Sequence, residues 1–297
     1  MAGKEEIIAS NASLVRLASL VSVLAALVLL GVKSWVWILS GSLSVLASMV
    51  DSLLDGFASL VNMLAIRYSQ KSPDSEHPFG HGKAEFLAGL GQALFIGGSA
   101  LFIIFQALKR FVQPQPLAAT WFSIAVMLFA VLVTAGLVVF QRHVVARTGS
   151  LAIKADSLHY ASDLFSNLGT VLALALASLG WPGLDAVIAI LIALVVLFNA
   201  WRIGYDSAQF LLDCHLPPEV EARISRIALA HDGVEGVHDI KTRRSGQTQL
   251  IQLHLEMKGT MPLLESHRVT KEVEAEIHAA VPGADVIIHQ DPVMGDE

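Results

Sequence analysis

Hydrophobic residues in the first two thirds of the chain form six long apolar runs separated by short polar segments. The runs lie near residues 14–36, 40–66, 84–108, 117–140, 152–178 and 183–204. A helix of about 20 apolar residues spans the roughly 30 Å hydrocarbon core of a bilayer. Glycine and proline mark the breaks, as in PDSEHPFGHG before the third run and GWPG before the sixth. The pattern therefore predicts a membrane-embedded, all-α domain of six transmembrane helices.

The last part of the chain has shorter and more polar periodic segments. After Pro217 and Pro218, EVEARISRIALAHDG has helical periodicity, and VHDIKTRRSG and QTQLIQLHLEMKG resemble two strands joined at a Ser-Gly turn. LLESHRVTKEVEAEIHAAV then predicts an amphipathic helix, and ADVIIHQ predicts a short buried strand. The order αββαβ predicts a small α+β domain with two helices on one face of a three-stranded sheet. We place the membrane domain at 1–208 and this second domain at 209–297.

Composition supports a division into a membrane part and a water-soluble part. The 297 residues are 54% hydrophobic and only 15% charged, with a mean hydropathy of +0.60, whereas soluble domains are about 25% charged. Charged residues are sparse from about residue 12 to about residue 205 and become frequent after that. No cluster of lysine and arginine suggests a nucleic-acid partner. The single cysteine, Cys214, excludes an internal disulfide and a zinc cage made of thiolates.

The distribution of basic residues predicts the orientation in the membrane. Six spans leave both termini on one side, where nine lysine and arginine residues lie, against three on the other side. Basic residues favour the cytoplasmic face of a membrane protein, so both termini are expected in the cytoplasm. The N-terminal segment MAGKEEIIASNASLVR is polar, and the apolar run after it is of full spanning length. We therefore expect no cleavable signal peptide.

Two pairs of polar residues interrupt the second and fifth runs. Asp51 and Asp55 lie four residues apart in VDSLLDG, and His159 and Asp163 lie four apart in SLHYASD, so each pair shares one face of its helix. Asp55 and Asp163 each lie about 12 residues, or roughly 18 Å, from the cytoplasmic end of their helix. Because the two helices run antiparallel, the four groups are expected at one depth. A single acid at mid-membrane costs about 2.5–3.5 kcal/mol, so a bound cation is the expected reason for their presence.

The ligand chemistry of these four residues favours zinc. Three carboxylates and one imidazole suit a divalent, borderline cation in tetrahedral geometry better than magnesium or calcium. Metal and protons compete for such ligands, and an imidazole makes that competition effective near neutral pH. A site open alternately to each side would exchange a metal ion for protons, whereas the alternative role for these groups is helix–helix hydrogen bonding. Asp156, a turn before His159, is expected to be a solvated residue at the cytoplasmic entrance, with a ligand role as the alternative.

These residues, DxxxD in the second run with HxxxD in the fifth, resemble the cation diffusion facilitator family, close to its bacterial zinc/proton antiporters of the YiiP type. The resemblance covers nearly the whole chain and includes FGHGKAE, HLE and DVIIHQDP. It implies a proton-coupled exporter of divalent metal in the bacterial inner membrane, with Zn²⁺ as the ion and cadmium or iron as further ions. It also implies a homodimer with metallochaperone-like cytoplasmic domains. The implied transport site is Asp51, Asp55, His159 and Asp163, and His159 in place of aspartate favours zinc or cadmium over manganese.

The loop after the second run offers a further ligand cluster. DSEHPFGHGK contains Asp74, His77 and His81 among glycine and proline, which let the backbone fold three ligands around one ion. The residues alone leave a polar loop without metal as the alternative, and the family resemblance implies a second zinc site here. Lys83 and Asp213, at the junction between the membrane part and the tail, are expected either to form a charge pair or to be hydrated.

The tail contains the remaining candidate ligands. From the residues alone, scattered surface histidines are the alternative to a metal site. The resemblance implies that His238, His254 and Asp291 hold one ion, and that His267 and His289 hold a second, with Asp291 bridging the two. Closed sites with four ligands suit structure or regulation more than turnover. A site between elements or between protomers would couple cytosolic metal to the geometry of the dimer.

Three other functions compete with metal/proton exchange. An intramembrane zinc hydrolase needs an open zinc position and a nearby base, often in HExxH, and no HExxH occurs. A metal-gated cation channel is the closer rival, but its pore should carry weak multi-site rings rather than one four-ligand cage. A non-transporting metal sensor would fit the tail and leave the buried acids without a purpose. We therefore expect a transporter and no enzymatic activity.

Overall fold

A computed structural model describes residues 2–40, 43–112, 121–178 and 184–293. Its first six elements are long helices that correspond one for one to the predicted runs. They are α1 (Ala2–Ser40), α2 (Leu43–Ser69), α3 (Ala84–Val112), α4 (Trp121–Thr148), α5 (Leu151–Ser178) and α6 (Leu184–Leu211). Residues 41–42, 117–120 and 183, at the starts of three predicted runs, lie outside the described residues. Helix α1 begins well before its predicted span, because the polar N-terminal segment continues the same helix.

Five of these helices are long and apolar enough to cross a membrane. The qualifying segments are Ser10–Leu39, Ser48–Ser69, Ala84–Lys109, Ala125–Thr148 and Val187–Leu211. The remaining helix, α5, carries polar residues in its first half. Large apolar side chains such as Phe57, Leu94 and Leu132 are exposed on the helices, and exposed apolar surface on this scale belongs in lipid. The chain is an integral membrane protein with the predicted six-helix domain.

The tail has the predicted order αββαβ. Its elements are α7 (Pro218–Leu229), β1 (Val234–Ser245), β2 (Thr248–Lys258), α8 (Leu263–Ala280) and β3 (Ala284–Val293). The sheet order is β1-β2-β3, in which β1 and β2 are antiparallel and β2 and β3 are parallel. Alternate residues of β2, Leu253 and Leu255 among them, pack against Ile224 of α7 and Val273 of α8. Both helices therefore cover the same face of the sheet, as predicted.

Strand β3 is not the buried strand that its apolar sequence predicts. Its residues alternate between half-buried and exposed, and Ile287 is exposed. Among the described residues the strand lies at the edge of the sheet and pairs with β2 alone. Since the helices cover one face, every second side chain of β3 points to the uncovered face. That uncovered face carries the tail histidines.

The described chain divides into two compact units. One contains Asn11–Lys71 and Ala84–Ala208, and the other contains the tail from Gln209 onward, the loop Ser72–Lys83 and the first residues of the chain. The sequence did not indicate that this loop belongs with the tail. The domain limits 1–208 and 209–297 stay a prediction.

Close packing holds the loop Ser72–Lys83 against the turn between β1 and β2. A Cβ atom on Gly82 would lie 2.5 Å from the carbonyl carbon of Ser245, so only glycine fits at this position. Gly80, with φ of +78°, turns the chain just before this contact. The guanidinium carbon of Arg243 lies 5.3 Å from the centre of the Phe79 ring, within the range of a cation–π interaction.

The charge pair between Lys83 and Asp213 is present, with Nζ 2.8 Å from Oδ1. Arg243, which the sequence did not single out, joins Asp213 at 3.1 Å. Burial raises the pKa of the Asp213 carboxyl, but hydrogen bonds from Lys83 and Arg243 outweigh it and hold this pKa below its usual range. The carboxylate therefore stays charged and joins the start of the tail to the loop and to β1.

Candidate metal centre

Polar residues of α2 and α5 face each other along one line, which we call the α2–α5 seam. Its contacts are Asp55 to His159, Ser59 to Asp156, Ser59 to Tyr160, and Asn62 to the carbonyl of Ala152. Residue numbers fall along α5 as they rise along α2, so the two helices are antiparallel. This is the orientation that places the two pairs of polar residues at one depth. On each helix these residues recur every three or four positions, which is one helix face.

Asp55, His159 and Asp163 form a candidate metal centre in this seam. One ligand atom from each lies within 4.8 Å of the other two. Nε2 of His159 is 3.0 Å from Oδ1 of Asp55 and 3.7 Å from Oδ2 of Asp163. Oδ2 of Asp163 is buried and has no hydrogen-bond partner among the described residues. A cation placed between the three side chains would satisfy this oxygen, which is otherwise costly to bury.

Aromatic rings hold the imidazole of His159 in place. The Phe95 ring of α3 lies edge-on, with 5.6 Å between centroids, and the Tyr160 ring lies 5.4 Å away. His159 is buried, whereas the side chains of Asp55 and Asp163 keep 22% and 39% of their exposure. The site therefore has one fixed ligand and two ligands that remain accessible.

Asp51, the fourth predicted ligand, lies outside this group of ligand atoms. It is exposed on α2, one turn before Asp55. A lysine of α1 that the sequence did not connect with the site contacts the same stretch of α2. Nζ of Lys33, from α1, donates to Oγ of Ser52 at 2.6 Å and to the carbonyl of Ser48 at 3.1 Å. A lone lysine in an apolar run is itself costly, and that signal was available in the sequence.

Asp156 is not the solvated entrance residue that its position on α5 predicts. It is fully buried and accepts hydrogen bonds from Nε2 of Gln141 at 2.7 Å and from Oγ of Ser59 at 3.4 Å. The prediction was wrong because distance along a helix gives depth but does not show which neighbouring helices cover it. Asp156 also lies outside the group of ligand atoms at the metal centre.

The loop residues Asp74, His77 and His81 are brought together, with ligand atoms within 4.8 Å of one another. Oδ1 of Asp74 is 3.4 Å from Nδ1 of His77, and Oδ2 is 3.4 Å from Nε2 of His81. The backbone N–H of His77 donates to Oδ1 of Asp74 at 2.8 Å and fixes the carboxylate within the turn. His81 is buried and His77 is exposed, so a cation held here would be reached from the surface.

In the tail, the carboxylate of Asp291 is the centre of a histidine cluster. Its Oδ2 lies 2.8 Å from Nδ1 of His254 and 3.1 Å from Nε2 of His238, and its Oδ1 lies 3.2 Å from Nε2 of His289. The hydrogen bond from His254 lowers the pKa of the Asp291 carboxyl below its usual value. Asp291 is therefore ionised at neutral pH, the form that a metal requires. The three histidines meet because β1, β2 and β3 are paired at His238, His254 and His289.

His267 is not brought to this cluster within one chain. It is exposed on α8, which packs on the face of the sheet opposite to the three histidines. Glu256, which the sequence did not single out, contacts the cluster instead. Oε1 of Glu256 is 3.1 Å from Nδ1 of His238. Glu256 follows His254 by two residues on β2, and that spacing places both on one face.

Two family models match this chain along most of its length. The cation efflux transmembrane domain matches residues 19–212, and the cytoplasmic domain of cation efflux proteins matches residues 216–293. The chain belongs to the cation efflux family. The resemblance to the cation diffusion facilitators is thereby confirmed, together with the expectation of a transporter rather than an enzyme.

Curated relatives of the same family agree with this chain in length. The cation-efflux pump FieF of Klebsiella pneumoniae subsp. pneumoniae is 46% identical over 283 residues, which are 95% of this chain and 94% of the relative. The FieF of Pectobacterium atrosepticum is 48% identical over 282 residues, with the same shares of the two chains. The protein is accordingly an integral membrane protein for the efflux of divalent metal cations.

Proposed function

We propose that the protein exports Zn²⁺ in exchange for protons, through a transport site made of Asp51, Asp55, His159 and Asp163. The observation that supports this most is the meeting of two carboxylates and one imidazole within the membrane helices, with Nε2 of His159 3.0 Å from Asp55. Asp51 is one turn away on the same helix and would complete four ligands by turning its side chain inward. Alternating access would expose this site first to one side of the membrane and then to the other.

The donor set favours zinc among the divalent ions. Imidazole suits zinc better than magnesium, calcium or manganese, and four ligands match the tetrahedral preference of zinc. The relatives named as FieF cation-efflux pumps support the export of a cation. Cadmium and iron are further candidate ions for the same donor set.

Proton exchange follows from the chemistry of the ligands. Zinc binds deprotonated carboxylates and neutral imidazole, so each binding event displaces protons, and each release returns them. Since an imidazole titrates near neutral pH, the inward proton gradient of a bacterial inner membrane can drive the metal outward. We place both termini on the cytoplasmic side of that membrane, as the basic residues predict.

Zinc uptake by sealed proteoliposomes under an imposed pH gradient tests this exchange. We expect the initial rate of zinc movement to rise when protons can run in the opposite direction, and zinc movement to change the internal pH. The rival is a metal-gated channel, whose flux would follow the zinc gradient alone. Zinc flux that is indifferent to the pH gradient and leaves the internal pH constant would contradict exchange.

For the loop and tail clusters we propose structural or regulatory zinc sites in a homodimer. Asp74, His77 and His81 would hold one ion, and His238, His254 and Asp291 a second. His289 and Asp291 would contribute to a third ion. The exposed His267 would reach that ion only from another copy of the chain.

Removing His238 and His289 together should abolish stabilisation of the tail by zinc without abolishing transport. A ligand at a hundredfold excess over its Kd stabilises the folded state by roughly 2.7 kcal/mol. We expect the intact protein in detergent to melt several degrees higher with zinc. Because the loop and membrane sites would also bind zinc, the His238→Ala, His289→Ala variant should lose only the share of that response that comes from the tail. His278→Ala, which changes a histidine paired with Glu274 on α8, should keep it. A wild-type melting temperature that ignores zinc would disprove the tail sites.

A further inference from the structure

We propose that Asp156 is the centre of a polar latch that closes the transport site on its cytoplasmic side. The latch consists of Asp156, Gln141, Ser59, Tyr160 and Ser22. The inference rests on the proposed transport function and on the proposed orientation, in which α5 begins at the cytoplasm.

The position of Asp156 places it on one side of the metal centre. It precedes His159 by three residues, about 4.5 Å nearer the start of α5. Side-chain exposure falls from Asp163 toward the start of α5. It is 39% for Asp163 and 5% for His159, and Asp156 is 0% exposed. Side-chain exposure is therefore greater on the Asp163 side of the metal centre than on the Asp156 side.

Hydrogen bonds of the latch join four helices. Nε2 of Gln141, from α4, donates to Oδ2 of Asp156 at 2.7 Å and to Oγ of Ser22, from α1, at 2.9 Å. Oγ of Ser59, from α2, lies 3.4 Å from Oδ1 of Asp156 and 2.8 Å from the hydroxyl of Tyr160. The same hydroxyl donates to the carbonyl of Ser22 at 3.3 Å. All five residues are buried, so solvent does not contact these side chains.

The chemistry of these contacts suits a closure that opens in each cycle. A hydrogen bond to a carboxylate is stronger than one between neutral groups, and water can replace it when the helices separate. In the closed state, loss of one partner leaves a buried polar group unpaired, which is costly. The latch is therefore favoured either closed, with the hydrogen bonds to Asp156 and Tyr160 made, or open, with these groups hydrated, and alternating access requires two such states. An apolar layer would hold the helices together without offering oxygens to a cation.

Two unpaired oxygens, one in the latch and one a turn nearer the cytoplasmic end, point to an entering cation. Oδ1 of Asn62 and Oε1 of Gln141 are buried and have no hydrogen-bond partner among the described residues. Along α2, Asn62 lies nearest the cytoplasmic end, followed by Ser59 and then Asp55. When the latch opens, a metal ion would meet the oxygens of Asn62, Gln141 and Asp156 before it reaches the ligands of the transport site.

The rate at which an engineered thiol reacts with a membrane-impermeant maleimide tests the latch from both sides. The background is Cys214→Ser, with Asn62→Cys as the reporter on the cytoplasmic side and Ser48→Cys as the reporter on the other side. Gln141→Met removes the donor at similar volume, and Asp156→Asn serves as a second variant if the first does not fold. Thr148→Val is the control, because it removes a buried hydrogen bond within α4, from Thr148 to the carbonyl of Val144.

We expect either latch variant to speed labelling at position 62 from the cytoplasm by about tenfold, the effect of losing one charge-assisted hydrogen bond. Labelling at position 48 from the opposite side should slow, and Thr148→Val should change neither rate. Unchanged rates, or faster labelling from both sides as in a loosened helix bundle, would overturn the latch. If Asp163→Ala is inactive while the labelling rates stay unchanged, only the latch fails. If Asp163→Ala transports zinc normally, the proposed function fails and the latch fails with it.

Discussion

Replacing Asp163 or Asp55 by alanine is expected to abolish zinc transport and to leave a folded, membrane-inserted protein. Each change removes one of the carboxylates that lie next to Nε2 of His159. Loss of a residue that hydrogen-bonds a metal ligand already lowers metal affinity or activity by roughly 10–100-fold. Loss of a ligand itself should therefore lower zinc flux by more than about 100-fold. Proteoliposomes loaded with a zinc-sensitive dye would measure it.

A matched control for these variants is Asp206→Asn. Asp206 is an acid on α6 that pairs with Lys154 at 3.3 Å and lies outside the α2–α5 seam. The zinc flux of the Asp206→Asn variant should stay near that of the unchanged protein. All variants should elute from a size-exclusion column at the same volume. Zinc flux near the normal rate in either alanine variant would show that the replaced carboxylate is not part of the transport site.

Changing His159 to aspartate should shift transport from zinc toward manganese and move its pH dependence. The change keeps a ligand but replaces imidazole by a carboxylate, which is harder and favours manganese more. An unperturbed aspartate titrates near pH 4, whereas histidine titrates near 6.5, so metal and protons should compete at a lower pH. The ratio of zinc to manganese flux, measured in the same vesicles across pH, checks both effects.

Asn is the control side chain at position 159, because it offers an oxygen of similar reach without the charge. His159→Asn should lower flux of both metals without raising the manganese share. An unchanged zinc to manganese ratio after His159→Asp would show that His159 does not select the ion.

The helices and the order of the tail were predictable because their signals are local. Six apolar runs of spanning length each became one helix, and the alternation in VHDIKTRRSG and QTQLIQLHLEMKG became β1 and β2. Asp55, His159 and Asp163 were predictable as a group because i, i+4 spacing fixes the face and distance from the helix end fixes the depth. Only the pairing of α2 with α5 had to be assumed, and the contacts along the seam show it.

What the sequence missed depends on contacts between distant segments. The burial of Asp156 comes from Gln141 and Ser22, and no spacing rule connects these positions along the chain. In the same way, Arg243 joins Asp213 only because the sheet places it beside the end of α6. Strand β3 was predicted to be buried because its sequence is apolar, but it lies at a sheet edge with one face uncovered.

Zinc X-ray absorption on the intact protein would identify the atoms that bind zinc in the membrane site. The protein would carry alanine at the loop and tail histidines His77, His81, His238, His254 and His289, so that the membrane site holds the bound zinc. We expect a four-coordinate shell at about 2.0–2.2 Å, made of carboxylate oxygens and one imidazole, with the imidazole signal lost in His159→Asp. If no zinc is retained, or if the imidazole signal survives His159→Asp, then His159 is not a ligand of a membrane zinc site.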